Sequence, residues 1–434
     1  MSNLVSTFNQ KNAPYFLDEN WTWYYWKDII SSYQQGLIRS NSELNEIDGI
    51  DYFKMNFINE NGTYTFNGLP KTFATSEEID NYKIKNGDFF INVRNSKELV
   101  GKCCVVYDVN KNILFNHMLV RINHKEYVTG SFINAYFNTK FGKKLIETCK
   151  KGTTTVIALY QKDLYNIPIP IPKKNILERI DELYNSINKK IELNSRINAE
   201  LEAMAKTLYD YWFVQFDFPN SPLLEGGQNS ENFDGVFKPY KSSGGKMVYN
   251  ETLKREIPEG WEVKTVGDFA KIKKGTLITE RTANINGNVK VVSAGLDFSY
   301  YHSESNFSNN TITISASGAN AGYINFWREP IFACDCTTVR GNNDFETFYI
   351  LQFLKSVQEF IFSQARGSAQ PHVYPKDIES LKIIIPNEEI LHKYGEIVYS
   401  MNEKITNNLK QNQELSALRD WLLPMLMNGQ VKVG

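Results

Sequence analysis

The sequence predicts an α/β protein: two mixed α/β domains separated by two long helices that pair as an antiparallel coiled coil, the halves related by a pseudo-two-fold internal repeat. Three observations predict it. Sliding the chain against itself by 214 positions lays Lys162-Asp163-Leu164 on Lys376-Asp377-Ile378, and Glu200-Leu201-x-Ala203 on Glu414-Leu415-x-Ala417. A weaker echo at an offset of 240 pairs Trp21 with Trp261 and Asp28 with Asp268. Each half then ends in a stretch whose apolar residues recur every three or four positions, the spacing of one helix face. A period above 200 residues excludes solenoids and propellers, whose units are several-fold shorter.

In chain order, residues 1–172 form the first globular domain, with strand-like runs at 88–93 and 102–107. Residues 173–216 form the first long helix. Ile176, Ile180, Leu183, Ile187, Ile191, Ile197, Leu201, Met204, Leu208 and Tyr211 share its stripe, and Pro172 and Pro219 bracket it. At 1.5 Å per residue, this stripe makes a rod of roughly 54 Å. Residues 217–257, rich in Pro, Gly, Ser and Asn, read as a connector. The second globular domain spans 258–386, with strand-like runs at 289–293, 311–315 and 330–333 and a helix at 345–365; the second long helix follows at 387–430. Its apolar stripe lies between Pro386 and Pro424, with Gly395 as the weak spot. A narrow stripe needs a partner helix, and each half offers one. Polar residues recur on the seam at Lys190 and Asn194, and again at Lys404 and Asn408. The two asparagines are the better register candidates, because the lysines can also carry their charge out to solvent.

The 48 Lys and Arg nearly cancel the 49 Asp and Glu, which excludes a uniformly basic protein. The average conceals an asymmetry. Residues 1–80 hold 5 basic and 11 acidic side chains, 81–174 hold 16 and 6, and 261–375 hold ten of each. The basic stretch (Lys83, Lys85, Arg94, Lys97, Lys102, Arg121, Lys125, Lys143, Lys144, Lys150, Lys151) suits a polyanion as well as a plain solvated face. The five cysteines make no disulfide framework, and the beginning, MSNLVSTFNQ, has no charged and apolar leader, so a cytoplasmic location is expected. Chemistry is scarce. Asn12-Ala13-Pro14-Tyr15 is an imperfect match to the Asn-Pro-Pro-Tyr loop of adenine methyltransferases and has no Gly-rich loop with it. Gly244-Gly245-Lys246 lacks the spacing of a P-loop, and Cys334-x-Cys336 lacks that of a zinc hairpin.

Ile257-Pro258-Glu259-Gly260-Trp261-Glu262-Val263, the loop Arg366-Gly367-Ser368-Ala369-Gln370-Pro371 before Ile383-Ile384-Ile385-Pro386, the aromatic helix end Leu201 to Phe213 and the connector Ser242-Ser243-Gly244-Gly245-Lys246-Met247-Val248 carry a resemblance. In this order, and over essentially the whole length, the chain resembles the specificity subunit of type I restriction-modification enzymes. The first half departs from that pattern, with Trp21-Thr22-Trp23 for the Pro-x-Gly-Trp opening and Lys151-Gly152-Thr153-Thr154-Thr155 for Arg-Gly-Ser, which leaves the start of its domain open. The resemblance implies two target-recognition domains reading a bipartite site on double-stranded DNA. It also implies two methyltransferase subunits and, as optional further partners, restriction subunits. The chain itself would be non-catalytic, with no metal or cofactor of its own; S-adenosylmethionine, ATP and Mg²⁺ would sit on the partners. Arg reads guanine and Asn reads adenine, while Lys holds phosphate. The candidate DNA-binding residues are therefore Arg94, Asn95, Lys97 and Lys102 in the first half and Lys273, Lys274, Arg281, Asn320 and Arg366 in the second. The apolar helix ends at Leu208–Phe213 and Trp421–Leu423 pack on the domains, on partners or on each other. The alternatives are a DNA methyltransferase or nuclease with fused recognition domains, which needs catalytic motifs not found here, and a purely structural coiled-coil scaffold.

Overall fold

Residues 19–152, 156–219, 239–284, 286–367 and 371–427 are described by the computed structural model. The chain divides into a first unit, Met1–Leu193 with Gln411–Gly434, and a second unit, Asn194–Lys410. Both divisions fall inside the two long helices, Lys174–Tyr209 and Glu388–Met427.

The first unit's strands are β1 (Trp21–Tyr25), β2 (Ile30–Gln35), β3 (Ile50–Phe53), β4 (Lys71–Thr72), β5 (Phe89–Asn92), β6 (Arg94–Asn95), β7 (Cys103–Val105), β8 (Ile113–Phe115), β9 (Leu119–His124), β10 (Lys150–Gly152), β11 (Ile157–Leu159) and β12 (Pro168–Pro172). They make a four-stranded antiparallel sheet ordered β2-β9-β5-β7, a three-stranded sheet β4-β3-β8 whose β3–β8 pair is parallel, a small sheet β10-β11-β6 and the ribbon β1-β12. In β12 every second residue is proline, so only Ile169 and Ile171 can donate a ladder hydrogen bond, which fits a strand with a single neighbour. Those two isoleucines are buried in a core built around Trp26, Phe89, Phe132 and Phe137. The Trp26 indole Nε1 donates to His124 Nε2 at 3.1 Å. Burial lowers the His124 pKa to about 3, so this imidazole stays a neutral acceptor.

The second unit's strands are β13 (Met247–Asn250), β14 (Arg255–Pro258), β15 (Glu262–Thr265), β16 (Lys271–Lys274), β17 (Val289–Val292), β18 (Tyr300–His302), β19 (Thr311–Ser315), β20 (Ile324–Trp327), β21 (Ile331–Ala333), β22 (Cys336–Arg340) and β23 (Lys382–Ile385). The plan of the first unit returns in the antiparallel sheet β16-β22-β19-β20, the sheet β18-β17-β21 with a parallel β17–β21 pair, and the ribbon β15-β23. The weak sequence echo falls at the start of each ribbon, on Trp21 in β1 and on Trp261 just before β15. Trp21 and Trp261 are buried, and Asp28 and Asp268 each close a capping box at the turn that follows. The hairpin β13-β14 lies inside the segment read as a connector; residues 220–238 of that segment are outside the described residues. The helix expected at 345–365 is two helices, Asp344–Ser356 and Gln358–Ser363, broken at Val357.

The first long helix passes at Asp210–Val214 into a π-helical turn. The second does not stop at Pro424 but continues to Met427. Proline forfeits one helical hydrogen bond, and the burial of Leu423 and Leu426 in the first unit's core with Leu177, Ile180 and Tyr184 holds that last turn in place. Gly395 is not a weak spot either, because a Cβ there would lie 2.3 Å from Phe345 Cγ; the missing side chain seats that ring. Within the first unit Arg419 Nη1 donates to Asn188 Oδ1 at 3.0 Å and Asn412 Nδ2 to the Ile191 carbonyl at 3.3 Å, so rising numbers on one helix meet falling numbers on the other. Within the second unit Asn408 Nδ2 donates to Asn198 Oδ1 at 2.8 Å, and Arg328 Nε to Asn402 Oδ1 at 2.8 Å. Asn188 and Asn402, which are 214 positions apart, each accept from an arginine. Asn194 and Asn408 are buried, while Lys190 and Lys404 are exposed.

Asp181, on the first long helix, accepts from Thr129 Oγ1 at one carboxylate oxygen, while the other is buried with no hydrogen-bond partner among the described residues. Burial raises its pKa from 3.8 to about 6. The folded state therefore holds this proton more tightly than the unfolded one, so the stability that protonated Asp181 confers is present below about pH 4 and lost as pH rises through about 6. Asp181→Asn is expected to stabilise the first unit above pH 6 and to flatten that dependence, measured by urea unfolding at a series of pH values.

Candidate nucleic-acid interface

The two four-stranded sheets present equivalent edges. In the first unit the edge is where β2 and β5 end and β7 and β9 begin; in the second, where β16 and β19 end and β20 and β22 begin. The registers put Gln35 in the place of Lys274, Asn92 in that of Ser315 and Leu119 in that of Cys336. Next along the chain come Gly36 and Gly275. A Cβ would stand 2.3 Å from the Asn116 carbonyl oxygen at the first and 2.1 Å from that of Cys334 at the second, because each glycine is wedged against the turn that enters the sheet. The Gly36 amide donates to the Leu119 carbonyl and that of Gly275 to the Cys336 carbonyl. These entry turns are Asn116-His117-Met118 and Cys334-Asp335.

The first edge gathers Arg94, Asn95 and Lys102. The Lys102 carbonyl accepts from the Asn92 amide, two residues before Arg94. Arg94 is exposed and makes no ion pair with a described residue. Burial and then the Arg94 charge hold the His117 imidazole below its usual range, so it is uncharged at neutral pH. Asn95 Oδ1 accepts from the Ser96 amide, and exposed Lys97 accepts at its carbonyl from Lys150 Nζ. Lys102 Nζ lies 3.8 Å from Glu60 Oε1, in a cleft where Lys102, Lys143 and Lys150 alternate with Glu60, Glu98 and Glu147. Much of the basic stretch is thus already committed. Arg121 is buried against Asp88 at 3.1 Å, and Lys83, Lys150 and Lys151 pair with Asp80, Glu147 and Asp163.

At the second edge Lys273 and Lys274 are exposed at the end of β16, and exposed Arg281 follows in the next segment, which is tied to the entry turn by the Ile278 amide and Cys334 Sγ. Asn320 closes a short 3₁₀ turn, Gly318–Asn320, whose Gly318 amide donates to the Pro371 carbonyl. Arg366 reaches the same edge through His372, which bridges both Arg366 and Ser317. Its Nη2 lies 3.1 Å from Asp377 Oδ1, just as Lys151 Nζ lies 2.7 Å from Asp163 Oδ1, so the repeat preserves this ion pair. Sequence reasoning missed His117, Ser317 and Asp335. The only available signal was the weak echo, which runs one residue out of step with the sheets: 239 positions, not 240, separate Gly36 from Gly275.

Tyr209, Trp212 and Phe213, from the aromatic helix end, pack into the second unit's core with Trp261, Tyr349 and Tyr394, whereas Tyr211 and Trp421 are exposed. All five cysteines are free and buried. Asn12-Ala13-Pro14-Tyr15 and residues 368–370 lie outside the described residues. Among the described residues no cluster of His, Cys, Asp and Glu could hold a metal ion, and no helix is long and apolar enough to cross a membrane.

The family described as "Type I restriction modification DNA specificity domain" matches residues 18–203 and again 258–417. The chain is 26% identical over 332 residues to the type I restriction enzyme MjaIX specificity subunit of Methanocaldococcus jannaschii, covering 71% of each chain. It is 22% identical over 349 residues to the type I restriction enzyme HindI specificity subunit of Haemophilus influenzae, covering 66% of this chain and 74% of that one. The crystal structure of a type I restriction-modification S subunit from M. genitalium has a similar fold, with a TM-score of 0.55, 18% identity and coverage of 94% of this chain and 96% of that one.

Proposed function

The chain belongs to the family of type I restriction-modification specificity subunits, which are non-catalytic, and on that premise we propose that each of its units reads one half of a split sequence in double-stranded DNA. One observation carries the reading. The same sheet edge occurs twice, on the same backbone plan, but with different side chains: Gln35, Arg94, Asn95 and His117 on the first, Lys274, Ser317, Asn320 and Asp335 on the second. A duplicated scaffold with divergent polar tips is what reading two different half-sites requires, since base edges differ only in their donors and acceptors. Two readers multiply their selectivity and impose a spacing, for which the long helices, as a coiled coil, serve as the spacer. The helices also serve to dock two methyltransferase subunits, and restriction subunits where a complex carries them. Methyl donor, ATP and Mg²⁺ belong to those partners.

The test is to incubate the chain and its methyltransferase partner with a random duplex pool and sequence the methylated molecules. Two short half-sites at a fixed spacing are expected; a pool with no split sequence overturns the reading. Arg94→Ala is expected to relax one position of the first half-site, by about 1–3 kcal/mol of discrimination, and to leave the second intact.

A further inference from the structure

We propose that Asp335 reads a cytosine in the second unit's half-site, its carboxylate accepting from the exocyclic N4 amino group in the major groove. This rests on the DNA-reading function above and assigns the second edge a base. Asp335 occupies the two-residue turn Cys334-Asp335 between β21 and β22, at the centre of that edge. One carboxylate oxygen, Oδ2, accepts from Ser317 Oγ at 2.7 Å, and Ser317 is itself held by its bridge to His372. The other oxygen has no hydrogen-bond partner among the described residues, and no described Lys or Arg pairs with the carboxylate, although Lys274, Arg281 and Arg366 belong to the same edge.

A half-buried carboxylate without a counter-cation is repelled by phosphate, so on a DNA-facing edge it is favourable only opposite a donor. Bases supply major-groove donors as the cytosine N4 amino and the adenine N6 amino groups. Adenine sets its amino group beside the acceptor N7, a pair that an amide side chain matches and two carboxylate oxygens do not. Cytosine offers the donor alone, which one fixed acceptor oxygen satisfies. No atom of the described residues lies within 4 Å of where a Cβ of the neighbouring Gly318, at φ +77°, would lie, so among them nothing blocks the approach beside Ser317.

The experiment is the random-pool methylation with the full chain and its methyltransferase partner, comparing wild type with Asp335→Ala and Asp335→Asn. The wild type is expected to require cytosine at one position of the second half-site. Asp335→Ala should cut that preference roughly tenfold or more, and Asp335→Asn should shift it towards adenine, because the amide adds a donor for N7. The first half-site must persist in both, as evidence that each variant is folded and assembled. Ser317→Ala, which loosens the carboxylate without removing it, should weaken the same position and no other. A split sequence left unchanged by all three variants, or one whose second half-site fades evenly at every position, overturns the cytosine assignment alone. A wild-type pool with no split sequence overturns the assignment together with the reading beneath it.

Discussion

Gly275→Ala is expected to destabilise the second unit by about 3 kcal/mol or more, and Gly36→Ala to do the same to the first. The atoms nearest the new methyl group would be backbone: the Cys334 and Ala333 carbonyl oxygens at 2.1 and 2.7 Å in one case, those of Asn116 and Phe115 at 2.3 and 2.4 Å in the other. A flexible side chain could swing aside. A carbonyl in the turn that enters β22 or β9 cannot, because the strand behind it is bonded on both sides. Urea unfolding of each variant measures the effect, and a loss below about 1 kcal/mol would mean that the turn yields more easily than close packing allows. Under the proposed function the position also couples stability to reading. Any relief of the clash moves Asp335 or His117, so a variant that survives folding should show altered selectivity in its own half-site.

Phe213→Ala is expected to cost about 3–5 kcal/mol and to abolish reading of the second half-site while sparing the first. Phe213 lies with ring centroids 4.7 Å from Tyr349, 4.9 Å from Tyr394, 5.5 Å from Tyr209 and 5.9 Å from Trp261, so it joins the end of the first long helix, the ribbon, the Asp344–Ser356 helix and the second long helix in one cluster. Its removal leaves a cavity that rigid rings cannot close. Calorimetry should show one of two transitions lowered. Loss of both half-sites together would contradict the division of the chain into two units.

The duplication was legible where both copies keep the same length. From Lys162 and Lys376 onward the offset of 214 holds, and the equivalent pairs Lys151–Asp163 and Arg366–Asp377 lie on its margin. Upstream, the turn entering β9 is one residue longer than the turn entering β22, and short strands such as Cys103–Val105 and Ile331–Ala333 carry too few residues for a period to emerge. The candidate DNA residues were chosen for exposed charge and amide chemistry. That selects exposed Arg94 and exposed Arg366 alike, although Arg366 pairs with Asp377 eleven residues further on, and it passes over Asp335, because an acid looks out of place in a basic search. The helix seam shows a similar gap. Asn408 meets Asn198, a residue outside the stripe pattern, because buried asparagines follow hydrogen-bond geometry rather than hydrophobic spacing.

The first unit is discontinuous in the chain: its core contains Leu177, Ile180 and Tyr184 but also Leu423 and Leu426. A ribosome adding roughly 5–20 residues per second therefore releases the whole second unit before the first can be sealed. For that interval the earlier-made unit waits with an apolar face uncovered, and a nascent chain interrupted before Leu423 would carry one finished unit and one unfinished one. Order of synthesis and order of completion are inverted, so the segment that carries Leu423 and Leu426 decides whether the first unit is sealed or is left to chaperones and proteases.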